Sequence, residues 1–222
     1  KYLRISNEKV LEEKELEDGK VQTTYVDSMI MSTYLVAFVI GELEITEIGN
    51  VGNTQIRIIH RPGFSHQTGF AGKAGLKILE FFENYYKIPY PGSKLDLIAI
   101  PDFAMGAMEN VGAVTFRESL LLIDESKATR QELSRSVSVI AHELAHMWFG
   151  DLVTMKWWDG IWLNEAFASL MEAIAANGTY PEFEQWSEMN LSRSAGFGVD
   201  SLKNSRPVEF EVETPEQAEE MF

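Results

Sequence analysis

"VIAHELAHMWFGD", residues 139–151, places two of the chain's four histidines four positions apart, with a glutamate directly after the first. Helix propensity does not ask for this pattern: His is a mediocre helix former, and Leu or Ala would pack more easily. On a helix, His142 and His146 are i and i+4, so they share one face with Cβ atoms about 5–6 Å apart. That separation lets two imidazole nitrogens reach one ion at about 2.0–2.1 Å. Glu143 then falls beside the open position of the ion, where a carboxylate can take a proton from water. The flanks "SVIA" and "MWF" are apolar and predict the inner face of a buried helix. A buried His pair with a nearby carboxylate and no ion would be a costly core.

Catalytic zinc takes three protein ligands and keeps one position open, and the third ligand is often a carboxylate. "DGIWLNEAFASLMEAIAANG" (159–178) offers Glu165, with 18 residues between it and His146. The Gly150–Asp151 break lets this second helix fold back on the first. Apolar neighbours predict Glu165 to be a buried charge with no Lys or Arg at hand, which an ion would resolve. Asn164 and Asp151 are candidate outer partners for the ligands.

Composition narrows the function classes. With 222 residues, 45% of them hydrophobic, and five Trp, the chain can bury a sizeable core. A formal charge of −15 argues against nucleic acid or an anionic membrane surface as partner and favours cationic ligands. No cysteine is present, which rules out disulfides and thiolate metal sites within the segment and points to a cytoplasmic address. No apolar run approaches a membrane span; the longest, "YLVAFVI" (34–40), predicts a buried strand. The chain opens on "KYLRISNEKV" without an initiator Met or signal peptide. It closes on "VETPEQAEEMF", where Thr214 as N-cap, Pro215 and Gln217 start a capped helix. Both ends predict a segment of a longer protein.

Along the chain, residues 1–60 read as β structure, with the acidic run 8–20 as a solvated hairpin face. "AGLKILEFFENYYK" (74–87) has helical spacing, and "KLDLIAI" (94–100) returns to strand alternation. The Gly- and Met-rich "PDFAMGAMENVGA" (101–113) precedes a strand-like "VTFRESLLLI" (114–123). Helices are predicted over roughly 130–149, 164–177 and 181–193, broken at Gly150–Asp151 and Asn177–Gly178. Strands first and helices afterwards make the fold class α+β. His60 and His66, flanking "RPGFS", read as surface or turn residues. Arg117 and Glu118 form either a local ion pair or a wall of the site. Met105 and Met108 either line a pocket or pack.

His142-Glu143-x-x-His146 followed by Glu165 resembles the zinc site of gluzincin peptidases. "GAMEN" (106–110) upstream, with "WFGDLVT" and "WLNEAFA" following the metal motif, makes the chain resemble the M1 family of zinc aminopeptidases along essentially its whole length. The resemblance implies a thermolysin-like catalytic domain, a small mixed sheet plus helices, over 50–222. It makes residues 1–49 the end of an N-terminal β domain. It implies one Zn2+ per chain on His142, His146 and Glu165, and Glu143 as the base.

Glu109 would receive the α-ammonium of a peptide with a free N-terminus through a charge-assisted hydrogen bond. Gly106, Ala107, Met108 and Asn110 would complete the substrate-binding strand, along which a peptide can lie. The remaining domains of the full-length protein would be partners. The family's oxyanion tyrosine would lie beyond Phe222, leaving Tyr180 structural. Val111, Phe116 and Ala166 depart from residues common in the family, which bears on the shape of the first-residue pocket. The rival readings are a zinc endopeptidase, which has no use for Glu109; an epoxide-hydrolase-type family member; and a catalytically weak fragment or binding scaffold.

Overall fold

Strand-forming sequence fills the first 60 residues of the computed structural model, which describes residues 2–205 and 207–219. The elements are β1 (Leu3–Ser6), β2 (Val10–Glu15), β3 (Val21–Tyr25), β4 (Phe38–Gly41), β5 (Glu44–Val51) and β6 (Thr54–His60). β2 and β3 form the solvated hairpin that the acidic run predicts, with every residue of β2 exposed. β1 pairs antiparallel with β4.

"YLVAFVI" is not a buried strand. Leu35 is fully buried in a 3-10 turn over Thr33–Leu35, while Phe38 and Ile40 on β4 are 76% and 60% exposed. An unbroken apolar run carries no alternation to say which side is covered, so only the neighbouring elements decide.

β5 and β6 begin a five-stranded sheet of order β5-β6-β7-β9-β8, with β7 at Lys94–Ile100, β8 at Ala107–Met108 and β9 at Ala113–Arg117. β5 is antiparallel to β6, β6 to β7 and β7 to β9 are parallel, and β8 closes the far edge antiparallel to β9. Residues 44–49 are therefore hydrogen-bonded into this sheet, and the predicted division at residue 49 falls inside β5. The parallel β6–β7 pair requires a crossover, supplied by α1 (Gly69–Tyr86). "VTFRESLLLI" is strand only to Arg117; Glu118–Leu121 turns into the short α2, which buries Leu121.

α3 (Arg130–His146) opens on a capping box: the Glu132 amide donates to Thr129 Oγ1 at 3.2 Å, and the Thr129 amide donates back to Glu132 at 2.8 Å. α4 (Ile161–Thr179) starts earlier than predicted and runs straight through Asn177–Gly178. Gly178 is there for close approach, since a Cβ would lie 2.6 Å from the Phe81 ring. α5 (Gln185–Asp200) follows a 3-10 turn over Pro181–Phe183. α6 (Pro215–Glu219) carries the predicted cap, the Thr214 amide donating to Gln217 Oε1 at 3.2 Å and the Gln217 amide donating to Thr214 Oγ1 at 3.4 Å.

Alternation along the strands gives the sheet two different faces. Ile56, Ile58, Leu95, Leu97, Val114 and Phe116 pack among the helices. On the other face Ile59, Ile98 and Ala113 meet Ile5 of β1. That face also holds a closed charge cluster. Arg57 donates twice to Asp96, at 2.6 and 2.8 Å, and Lys94 Nζ lies 2.7 Å from the same carboxylate. Lys94 also donates to the Ser6 and Gly112 carbonyls at 2.9 and 2.6 Å. Burial lowers the Lys94 pKa, and Asp96 opposes the shift.

Asn7 continues this bracing. Its amide donates to the Leu35 and Val111 carbonyls, and its carbonyl oxygen accepts from the Ala37 amide.

His60 is not a surface residue. It is fully buried, with Nε2 2.8 Å from Thr46 Oγ1 and Nδ1 2.8 Å from the Arg61 carbonyl. His66 is exposed. Arg117 and Glu118 do not pair with each other. Arg117 donates to the Phe103 and Ala104 carbonyls, whereas Glu118 receives Arg61 in a two-bonded pair.

Candidate active site

α3 and α4 pack along each other and bring His142, His146 and Glu165 together. The two Nε2 atoms lie 3.1 Å apart, and Glu165 Oε2 lies 3.3 Å from that of His142 and 3.7 Å from that of His146. A tetrahedral site with bonds of about 2.0–2.1 Å has ligand–ligand edges of about 3.3–3.4 Å, so the three atoms fit one metal ion.

The tautomers agree with this. His146 Nδ1 is 2.9 Å from the Phe149 carbonyl, which can only accept, so Nδ1 carries a proton and in the neutral ring Nε2 presents a lone pair. His142 Nδ1 is likewise 3.3 Å from the Glu172 carboxylate. Two lone pairs and a carboxylate oxygen then face one point, an arrangement that calls for a cation.

Local sequence explains the geometry. α3 ends at His146, not at residue 149, and the chain turns through Gly150 at φ +128°, a conformation that L side chains rarely adopt. The Asp151 amide donates to the His146 carbonyl at 3.1 Å, and this tight turn carries the Phe149 carbonyl back to the ring.

The expected outer partners differ from those observed. Glu172 and the Phe149 carbonyl engage the rings. Asn164 instead donates to the Tyr34 hydroxyl at 3.3 Å, and both Asp151 carboxylate oxygens are buried without a hydrogen-bond partner among the described residues. Sequence could have flagged Glu172, which lies two helical turns after Glu165 on the same face. Tyr34 sends no local signal.

The titratable groups here are coupled to one another. Glu165 is not the buried charge expected, because 31% of its side chain is exposed at the rim. Burial works against its ionised form, but hydrogen bonds to His142 and His146 hold its carboxyl down at about 2. Burial also disfavours a charged His142, and hydrogen bonds to Glu165 and Glu172 outweigh it, raising the ring to about 10. Burial pushes Glu143 up to about 8, with the two histidines pulling the other way. Asp151 is raised well above its ordinary value, first by burial and then by the charges of Glu109 and Glu143.

β8 brings the GAMEN residues to the sheet edge, with Ala107 paired to Phe116 and Met108 to Thr115. Among the described residues its outer side has no strand neighbour, and Gly106, Ala107 and Met108 are half-buried along it. Glu109 and Asn110 are 7% and 6% exposed. The Asn110 side chain is committed within the fold, accepting from Thr115 Oγ1 at 3.1 Å and donating to the Leu35 carbonyl at 3.3 Å. A cleft of about 280 Å³ runs between Gly106–Ala107 and His142–Glu143.

Met105 is 64% exposed and Met108 is half-buried. Val111 and Phe116 are core residues, whereas Ala166 is exposed. Tyr180 is buried at the end of α4, packing on Phe70 and Phe183. Among the described residues, no helix is long and apolar enough to cross a membrane.

Comparison with known proteins bears on this site. Residues 70–222 match the profile described as the Peptidase family M1 domain. The chain is 43% identical over 220 residues to the puromycin-sensitive aminopeptidase of Caenorhabditis elegans, covering 98% of this chain and 23% of that protein. It is 42% identical over 219 residues to aminopeptidase M1-A of Oryza sativa subsp. japonica, covering 98% and 25%. With endoplasmic reticulum aminopeptidase 2 of Homo sapiens it shares 45% identity over 225 residues, covering 100% and 23%. The chain thus spans about a quarter of the length of these relatives.

Proposed function

Because the chain belongs to peptidase family M1, we infer that it forms the metal-holding part of a zinc aminopeptidase, which removes N-terminal residues from peptides. One observation carries the reading: His142, His146 and Glu165 converge to within metal-ligand spacing beside the buried Glu143. We read the sheet and helices as a thermolysin-like catalytic domain, with the strands before β5 belonging to a preceding β domain. The cysteine-free sequence supports a reducing, cytoplasmic compartment.

His142, His146 and Glu165 would hold one zinc ion. When bound, zinc supplies a Lewis acid for the scissile carbonyl and acidifies a water toward about pKa 7. Glu143 takes the proton of the attacking water and passes it to the departing amine. Glu109 binds the substrate's α-ammonium, so cleavage falls after the first residue. The peptide lies along the open edge of β8, with its later residues toward Gly106 and the cleft.

The test uses the full-length protein, comparing a peptide with its N-acetylated form and measuring zinc by elemental analysis. We expect one zinc per chain, lost in Glu165→Ala, and cleavage of the free peptide alone. Equal cleavage of both peptides would overturn the aminopeptidase reading in favour of an endopeptidase. A folded enzyme without zinc would overturn the metal assignment.

A further inference from the structure

Arg135 lies on α3 two helical turns before His142, so the two side chains share one face of that helix. It lines the same cleft of about 280 Å³ as Gly106, Ala107, His142 and Glu172. In a chain with 34 acids against 19 Lys and Arg, a cation has carboxylates within easy reach. Arg4, Arg57, Arg61 and Arg130 each meet one, Arg117 holds two carbonyls, and Arg193 lies over the Phe197 ring. Arg135 is exposed and, among the described residues, has no hydrogen bond, ion pair or ring partner.

Its surroundings account for this. The positions three and four away on the helix are Gln131, Glu132, Ser138 and Val139, and the one acid, Glu132, is committed to the Thr129 cap. Glu172 is engaged with His142 Nδ1 at 3.3 Å. The guanidinium is therefore left to the cleft.

The strand residues that line the cleft are Gly106 and Ala107, at the end of the β8 edge remote from Glu109. α3 rises about 1.5 Å per residue, which puts Arg135 about 10 Å along the axis from His142. An extended peptide covers about 3.3 Å per residue. A peptide with its scissile carbonyl at the metal site thus brings its third or fourth residue to Arg135.

We propose that Arg135 is a carboxylate-binding subsite of the peptide cleft. It takes an acidic side chain at the third or fourth residue, or the C-terminal carboxylate of a peptide that ends there. This rests on the reading of Glu109 as the receiver of the α-ammonium, from which the residues are counted. A guanidinium offers two parallel N–H donors that match a carboxylate. Glu143 and Glu172 line the same cleft and repel a second carboxylate, so Arg135 decides whether an acidic ligand is accepted.

The experiment measures kcat/KM of the full-length enzyme on two series of peptides. The first holds amidated peptides with Glu or Gln at the third or fourth residue; the second holds tri- and tetra-alanine as free acids or amides. We expect the carboxylate to be favoured about 10-fold in at least one series, the scale of a hydrogen bond to a charged group. The series that responds names the source, a side chain in the first and a peptide C-terminus in the second. Arg135→Gln should remove the preference and Arg135→Lys should keep part of it. Arg135→Glu should reverse it, which a merely structural arginine would not produce.

No carboxylate preference in either series, or a preference that survives Arg135→Gln, overturns the proposal. If acetylated and free peptides are cleaved alike, the anchor reading falls and the residue count falls with it. If only free peptides are cleaved and carboxylates make no difference, the Arg135 subsite alone falls.

Discussion

Two buried charge clusters lie on opposite faces of the same sheet, and they are built on opposite principles. Beneath the sheet, Arg57, Asp96 and Lys94 satisfy one another and the surrounding carbonyls. Among the helices the pairing is incomplete: Glu165 lies 3.3 and 3.7 Å from His142 and His146, but the two Nε2 atoms face each other at 3.1 Å and, among the described residues, neither Asp151 carboxylate oxygen has a hydrogen-bond partner. Burial of charge is tolerated when it is paired and hydrogen-bonded. A cluster closed within the chain works as a brace, and one left open asks for something from outside. The brace also serves the open site, because Lys94 and Asn7 hold the carbonyls of Gly112 and Val111, a few residues after Glu109, which directly follows β8.

Mutation should separate the two clusters. The largest effect on chemistry comes from Glu143→Gln, which should lower kcat about 10²–10⁴-fold while zinc content measured by elemental analysis stays at one per chain. Loss of zinc in this variant would make Glu143 part of the metal's hold and blur the division between ligand and base.

On the other face, Asp96→Ala strands the buried Lys94 and the half-buried Arg57. Local stability read from hydrogen-exchange protection of β6 and β7 in the full-length protein should fall by about 3–5 kcal/mol, with the zinc-to-protein ratio of the folded enzyme unchanged. Unaltered protection would mean that the closed cluster is not a brace.

The smallest change is expected from Glu172→Gln, which weakens the acceptor on His142 Nδ1. Chelator competition should show metal affinity about 10–100-fold lower. An unchanged affinity would leave the Phe149 carbonyl as the outer partner that matters.

How much of this was legible before the fold follows from the range of the interactions. The grouping of His142, His146 and Glu165 was readable because helix geometry puts i and i+4 on one face and a Gly-Asp break returns the next helix. Glu172 was within reach of the same argument, two turns beyond Glu165. The helix ends were read less well. Asn177–Gly178 resembles a stop signal, yet the glycine is there to admit the Phe81 ring, a contact with a residue 97 positions away. His60 has the composition of a surface turn, and its burial depends on Thr46 across the β5–β6 pair. "YLVAFVI" was misread because hydrophobicity alone does not say which side a neighbour will cover.

The sequence by itself determined which side chains could act together: two histidines at helical spacing, a glutamate beside them, a further carboxylate one helix on, another after a glycine-rich strand, and an α+β order of elements. All of these are local, fixed by backbone geometry within a few turns. Tertiary structure alone decided what surrounds that chemistry. It chose which charges are closed and which stay open, placed the edge of β8, and brought Tyr34 to Asn164 across 130 positions. Contacts at that separation leave no periodic trace, because they arise only when packed layers bring distant segments together.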